Sequence, residues 1–112
     1  MPISGEIVLL DFGVSQGHEA GIPRPAVVVT ANDLLDEGTP IVQVVPLTST
    51  IRRYQAEVLV EPDPTNGLDV DSAAQCQHIR SVATSRLGHV IGTISPAQLR
   101  QIRETLALLL DL

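Results

Sequence analysis

The chain has 112 residues, with 13 acidic against 7 basic side chains, a formal net charge of −6 and 44% hydrophobic residues. At that size it is expected to form a single domain over residues 1–112 that buries about two-thirds of its unfolded surface. One Tyr, one Phe and no Trp require a core of Val, Ile, Leu and Ala, and argue against binding nucleic acid mainly by stacking bases on exposed rings.

Gly5 to Phe12 begins as a strand, Glu6, Ile7, Val8, Leu9 and Leu10 being β-prone or apolar. Residues 13–25 are too many for a tight hairpin turn, and loops of that length inside compact domains are often functional. Pro23 and Pro25 each fix φ at about −65° and lack an N–H, so neither is expected inside a sheet ladder. Arg24 lies between them and is biased to an extended conformation by the proline that follows. It stands at the entry of an uninterrupted apolar run, Ala26 to Thr30, that predicts a central strand. Residues 31–40 read as a polar loop with one helical turn capped by Asn32.

Ile41 to Leu47 predicts a third strand, ending in the hydroxyl cluster Thr48-Ser49-Thr50, and Ala56 to Val60 a fourth. Between them Ser49-Thr50-Ile51-Arg52-Arg53-Tyr54 reads as a basic loop. Asn66-Gly67 is the strongest hairpin signal in the chain and introduces residues 68–75. A strand then follows at His78 to Val82, a short helical turn at Thr84 to Leu87, and a last strand at Val90 to Ile94. Ser95-Pro96-Ala97-Gln98 is a capping box with proline at the first helical position. Leu99, Ile102, Leu106, Leu109 and Leu110 follow at helical spacing, one face toward a core or a partner. The expectation is a mainly β fold with a C-terminal helix, a small barrel closed by that helix.

The single cysteine, Cys76, excludes an internal disulfide and reads as a small core residue. The scattered His and Cys positions have no metal-ligand spacing, so neither a metal nor another cofactor is expected. No basic segment followed by an apolar one begins the chain, and no apolar run approaches membrane-spanning length. A soluble cytoplasmic protein without membrane association is therefore expected. All basic residues are Arg and none is Lys, the type suited to bidentate phosphate contacts. Global acidity does not exclude a local cationic groove.

If the strands at 26–30 and 41–47 pair antiparallel, Arg24 and Thr48 lie at the same end of the sheet. The ordered pieces Gly5-Glu6-Ile7, Gly17-His18-Glu19, Arg24-Pro25-Ala26-Val27-Val28-Val29, Pro46-Leu47-Thr48-Ser49 and Ile79-Arg80-Ser81 resemble the MazF/PemK family of toxin endoribonucleases. No single piece is specific, but five in this order and spacing are, and together they span nearly the whole chain. The resemblance implies an SH3-like small β-barrel of the CcdB/PemK kind, working as a homodimer with its groove across the interface. It further implies sequence-specific, metal-independent cleavage of single-stranded RNA (mRNA, tRNA or rRNA), held in check by a cognate antitoxin whose disordered acidic segment fills the groove.

Carried over from that resemblance, the catalytic residues are Arg24 and Thr48, with Glu19 beside them. The RNA-binding residues are His18, Ser49, Arg52, Arg53, Gln77, His78 and Arg80. Arg24 suits stabilisation of phosphoryl charge and is a poor base, because guanidinium stays protonated; on the residues alone it is equally a surface arginine in a β-entry turn. Thr48 reads either as a donor to a phosphoryl oxygen or as a strand-end hydroxyl capping a turn. Glu19 either orients Arg24 by an ion pair, the favoured role, or accepts the 2′-OH proton, for which an unperturbed Glu is a weak base. The sequence departs from the family pattern at Gln77, where many members carry an acid, and at His78, which is either a proton-transfer group near neutral pH or a surface strand histidine. Val8 in place of an aromatic, and Phe12-Gly13 in place of Asp-Pro, are expected to alter groove shape. The rival readings are a non-nucleolytic toxin that poisons a protein target such as DNA gyrase, as CcdB does, and a degenerate regulatory paralogue.

Overall fold

Three apolar runs lie side by side at the centre of the computed structural model, which describes residues 2–11 and 23–112. They are β1 (Glu6–Leu10), β2 (Arg24–Val28) and β3 (Ile41–Thr48). Both pairings are antiparallel, with Val8 opposite Ala26 and Ala26 opposite Pro46. Four shorter strands complete the sheet: β4 (Glu57–Val60), β5 (Ser72–Gln75), β6 (Arg80–Ala83) and β7 (Val90–Thr93). The order across it is β4-β5-β3-β2-β1-β7. β3 is long enough to serve two neighbours on one side, β6 through Ile41–Val44 and β5 through Leu47–Thr48. Two helices cover the sheet, α1 (Asn32–Asp36) and α2 (Pro96–Leu110).

The central strands lack a polar face because both of their faces are buried. Ile7, Val27 and Val45 pack on one side with Val58 and Val60 of β4 and with Ile102 and Leu106 of α2. Val8, Ala26, Val28 and Val44 pack on the other with Leu35 of α1 and Val82 of β6. Cys76 is fully buried in the first of these clusters, as its small apolar character implies.

Several local expectations are corrected by the structure. Pro25 is inside β2, opposite Leu9, rather than outside the ladder. It is tolerated as the second residue of the strand, where pairing with β3 has not yet begun. Asn32 is the first residue of α1 and not its cap; Ala31 is the cap, and the Asn32 side chain accepts from the Ser4 N–H at 2.8 Å instead. At α2 only half of the capping box forms. Ser95 Oγ accepts from the Gln98 N–H at 3.1 Å, while the Gln98 amide donates to the Leu59 carbonyl at 3.5 Å. Ile102 and Leu106 are buried as the spacing predicts, but Leu109 and Leu110 lie past the edge of the core and are exposed.

Asn66-Gly67 is also not a two-residue turn. β4 and β5 do pair antiparallel, with Val60 opposite Ser72, but residues 61–71 all lie between them. Asn66 is fully buried and ties this loop together. Its amide donates to the Glu61 carbonyl at 2.8 Å, and its Oδ1 accepts from the N–H groups of Asp63 and Leu68 at 3.2 and 3.0 Å. Gly67 takes φ +72°, and a Cβ there would stand 2.1 Å from the Ile91 carbonyl oxygen, so no other residue fits. Asn66→Ala strands two N–H groups and a carbonyl, and is expected to destabilise the fold by about 3 kcal/mol; urea unfolding of the variant against the parent measures it.

Candidate active site

The β2–β3 register decides which polar groups meet. Ala26 lies opposite Pro46 at the end of the β2–β3 ladder, and Arg24 and Thr48 each stand two residues beyond that last pair on their own strands. Both line a single groove of about 730 Å³, together with Ser49, Arg52 and Asp69. The remaining wall comes from apolar residues of β1 and β7, Leu9 and Ile91, and from the 61–71 loop. Thr48 Oγ1 accepts from the Thr50 N–H at 3.1 Å, so it does cap the turn. A hydroxyl has one donor and two acceptor sites, and capping through an acceptor leaves the O–H as a donor toward the groove.

The other residues singled out from the sequence divide. Arg53 takes φ 58°, a left-handed conformation uncommon for a residue with a Cβ, and lines a different concavity of about 230 Å³ with Tyr54 and Leu59. The two neighbouring arginines therefore serve different surfaces, and Arg53 is not part of the groove. Gln77 is in the 3₁₀ turn Cys76–His78 and donates from its amide to Glu57 Oε2 at 2.7 Å. It is turned toward β4 and does not line the groove. His78 and Arg80 are exposed on the 3₁₀ turn and at the start of β6, and neither lines the groove. Glu19 and His18 lie outside the described residues.

Sequence reasoning missed three features. Asp69 enters the groove because the 61–71 loop is a wall and not a hairpin tip; a full count of residues between the paired strands would have exposed this. Leu9 and Ile91 reach the groove through the β1–β7 pairing, which apolar patterning does not specify. Glu57 lies in the predicted strand Ala56 to Val60 with nothing in the sequence to mark it, yet its side chain is only 1% exposed.

Among the described residues, no group of three or more His, Cys, Asp and Glu is placed to hold a metal ion, and no helix is long and apolar enough to cross a membrane. Hydrogen bonds from the Thr65 backbone and hydroxyl hold the Asp63 carboxyl below its usual range. Burial pushes the Cys76 thiol up to about 11, which keeps it protonated and chemically quiet. Cys76 is expected to resist Ellman's reagent at mildly alkaline pH in the folded protein and to react once the chain is unfolded in guanidinium; absorbance of the released thiolate reports both.

Comparison with known proteins identifies the architecture. Residues 3–110 match the family described as PemK-like, MazF-like toxin of type II toxin-antitoxin system. The chain is 45% identical to Endoribonuclease MazF9 of Mycobacterium tuberculosis, over 96% of this chain and 95% of that protein. It is 28% identical to Endoribonuclease MazF of Staphylococcus saprophyticus, over 96% and 90%. Among solved structures it resembles a mycobacterial endoribonuclease in complex with its cognate antitoxin, with a TM-score of 0.79 and 26% identity over 100% of this chain and 97% of that one. It also resembles a MazE–MazF structure from Deinococcus radiodurans, with a TM-score of 0.79 and 29% identity over 99% and 96%. The curled antiparallel sheet with its C-terminal helix is thus the fold of the MazF toxins, and the chain belongs to the PemK-like, MazF-like toxins of type II toxin–antitoxin systems.

Proposed function

We propose that this chain is an endoribonuclease toxin that cleaves single-stranded RNA in the groove between β2 and β3. The observation that carries the reading is the meeting of Arg24, Thr48, Ser49 and Arg52 in one open groove on the fold of proteins named as endoribonucleases. RNA supplies its own nucleophile. The 2′-oxygen forms a bond to phosphorus, the bond from phosphorus to the 5′-oxygen breaks, the 2′-OH proton leaves to a base, and the 5′-oxygen takes up a proton. Negative charge gathers on the non-bridging oxygens in between, and stabilising it is the largest task. The Arg24 guanidinium offers a planar fork of donors for two such oxygens, and Thr48 adds a neutral donor from the adjoining strand.

Glu19 precedes Arg24 in the sequence, and its role in this reading is to orient it. The groove's own carboxylate among the described residues is Asp69. Because Arg24 and Thr48 supply charge stabilisation, the reaction proceeds without a metal and leaves a 2′,3′-cyclic phosphate and a 5′-OH. A cognate antitoxin restrains the enzyme by laying an acidic segment along the same arginines. The active form is a homodimer; the isolated protomer leaves Leu108, Leu109 and Leu110 exposed.

The first expected outcome concerns the chemistry. Purified protein with excess EDTA still cuts a long single-stranded RNA, and end analysis finds 5′-OH termini. Loss of cutting on chelation, or 5′-phosphate products, would overturn the mechanism; intact RNA with a poisoned gyrase would favour the CcdB-like alternative. The second concerns Arg24. In single-turnover kinetics Arg24→Lys loses about 100-fold or more in kcat with KM little changed, and Thr48→Ala loses less. A folded, fully active Arg24→Lys would reduce this arginine to a turn residue.

A further inference from the structure

Glu57 opens β4, and its carboxylate is out of water, the side chain being 1% exposed. Oε2 accepts from Gln77 Nε2 at 2.7 Å and from Gln75 Nε2 at 3.5 Å. Arg52 Nη1 stands 4.0 Å from the same oxygen, an ion pair without a hydrogen bond. Oε1 is buried with no partner, and so is Oε1 of Gln77. Two acceptors in one buried cluster therefore lack donors, which costs free energy. A glutamine at position 57 would have almost the same shape and would add a donor to a cluster short of one. Structure alone is better served by the amide, so the carboxylate has another task.

That task is set by Arg52. It is the one cation within ion-pair distance of Glu57 among the described residues, and it lines the groove with Arg24 and Thr48. A long, half-exposed arginine loses rotamer entropy when it grips a ligand; a fixed anion behind it removes part of that loss beforehand. Glu57 itself is too deeply buried to touch a substrate.

We infer that Glu57 is a positioning residue. Locked by Gln77, it holds Arg52 against the groove wall so that the guanidinium meets a backbone phosphate of the bound strand. The inference rests on the endoribonuclease reading. It also accounts for the amide at Gln77, because an acid there would set a second carboxylate 2.7 Å from Glu57, a like-charge clash.

The experiment is a double-mutant cycle of Glu57→Gln and Arg52→Ala, read as kcat and KM on a short RNA at several salt concentrations. Glu57→Gln should raise KM about five-fold, as expected for a partly exposed pair, with kcat within about two-fold. Its thermal midpoint should equal or exceed the parent's, a combination that a merely structural carboxylate would not give. Arg52→Ala should raise KM and lower the salt slope by about one, and adding Glu57→Gln to it should change nothing further. A Glu57→Gln penalty equally large without Arg52, a fall in KM, or a loss confined to kcat would each overturn the inference. Should Glu57→Gln fail to fold, Gln77→Ala takes its place, since it frees Glu57 while keeping the charge. The parent and Arg24→Lys run alongside: a parent that cuts no RNA defeats the nuclease reading, whereas normal parental cleavage with additive losses defeats only this one.

Discussion

Burial of both faces of the β1–β2–β3 strands is the constraint on which the rest of this molecule depends. With Ile7, Val27 and Val45 packed on one side and Val8, Ala26 and Val44 on the other, a one-residue slip would exchange the two sets between differently shaped cores, so the register is strongly specified. The fixed register carries Arg24 and Thr48 to the same place. Neither residue is held by the other. Each is delivered by a buried hydrophobic run, which is how a modest core fixes polar groups at its rim.

The ends of those runs are where the chain becomes chemically useful. β3 passes from β6 to β5 along one side, and near that change its last residues leave β2. The divergence opens the groove beside Thr48 and places Pro25 where a missing N–H is tolerated. Proline at both Pro25 and Pro46 limits alternative pairings at the lip. The 61–71 loop then closes one wall, held by the buried Asn66 amide and by a backbone approach at Gly67 that excludes any side chain.

The three central strands, the C-terminal helix and the Arg24–Thr48 pair were legible in the sequence, because each rests on local chemistry: an apolar run, a capping serine with proline after it, a polar group at a strand end. What was not legible depends on distance along the chain. The Asn66-Gly67 pair has the same local signature in a tight hairpin and in a longer loop, and only the 0% exposure of Asn66 separates them. Arg52 and Arg53 are equivalent by composition, and a single left-handed φ at Arg53 assigns them to different surfaces. Leu109 and Leu110 continue the periodicity of α2 past the point where the core beneath it ends. Glu57 is invisible to pattern, since its polar partners Arg52, Gln75 and Gln77 come from two stretches distant from each other in the sequence.

An acidic chain that grips a polyanion needs an explanation in terms of range. The net charge of −6 acts at long distance and is screened over about 8 Å at physiological ionic strength, whereas in the proposed reading Arg24 and Arg52, which line the groove, act at contact. On that proposal the body of the protein repels RNA weakly while the groove attracts it locally, which would suppress the salt-driven, sequence-independent adhesion of a uniformly basic surface. Discrimination then falls on groups that must be placed accurately. Such a design makes the orientation of each arginine matter more than its charge. It gives physical meaning to a carboxylate kept buried behind Arg52 at a cost in unpaired acceptors: in a groove with few cations, a cation held in place contributes more than one left free to wander.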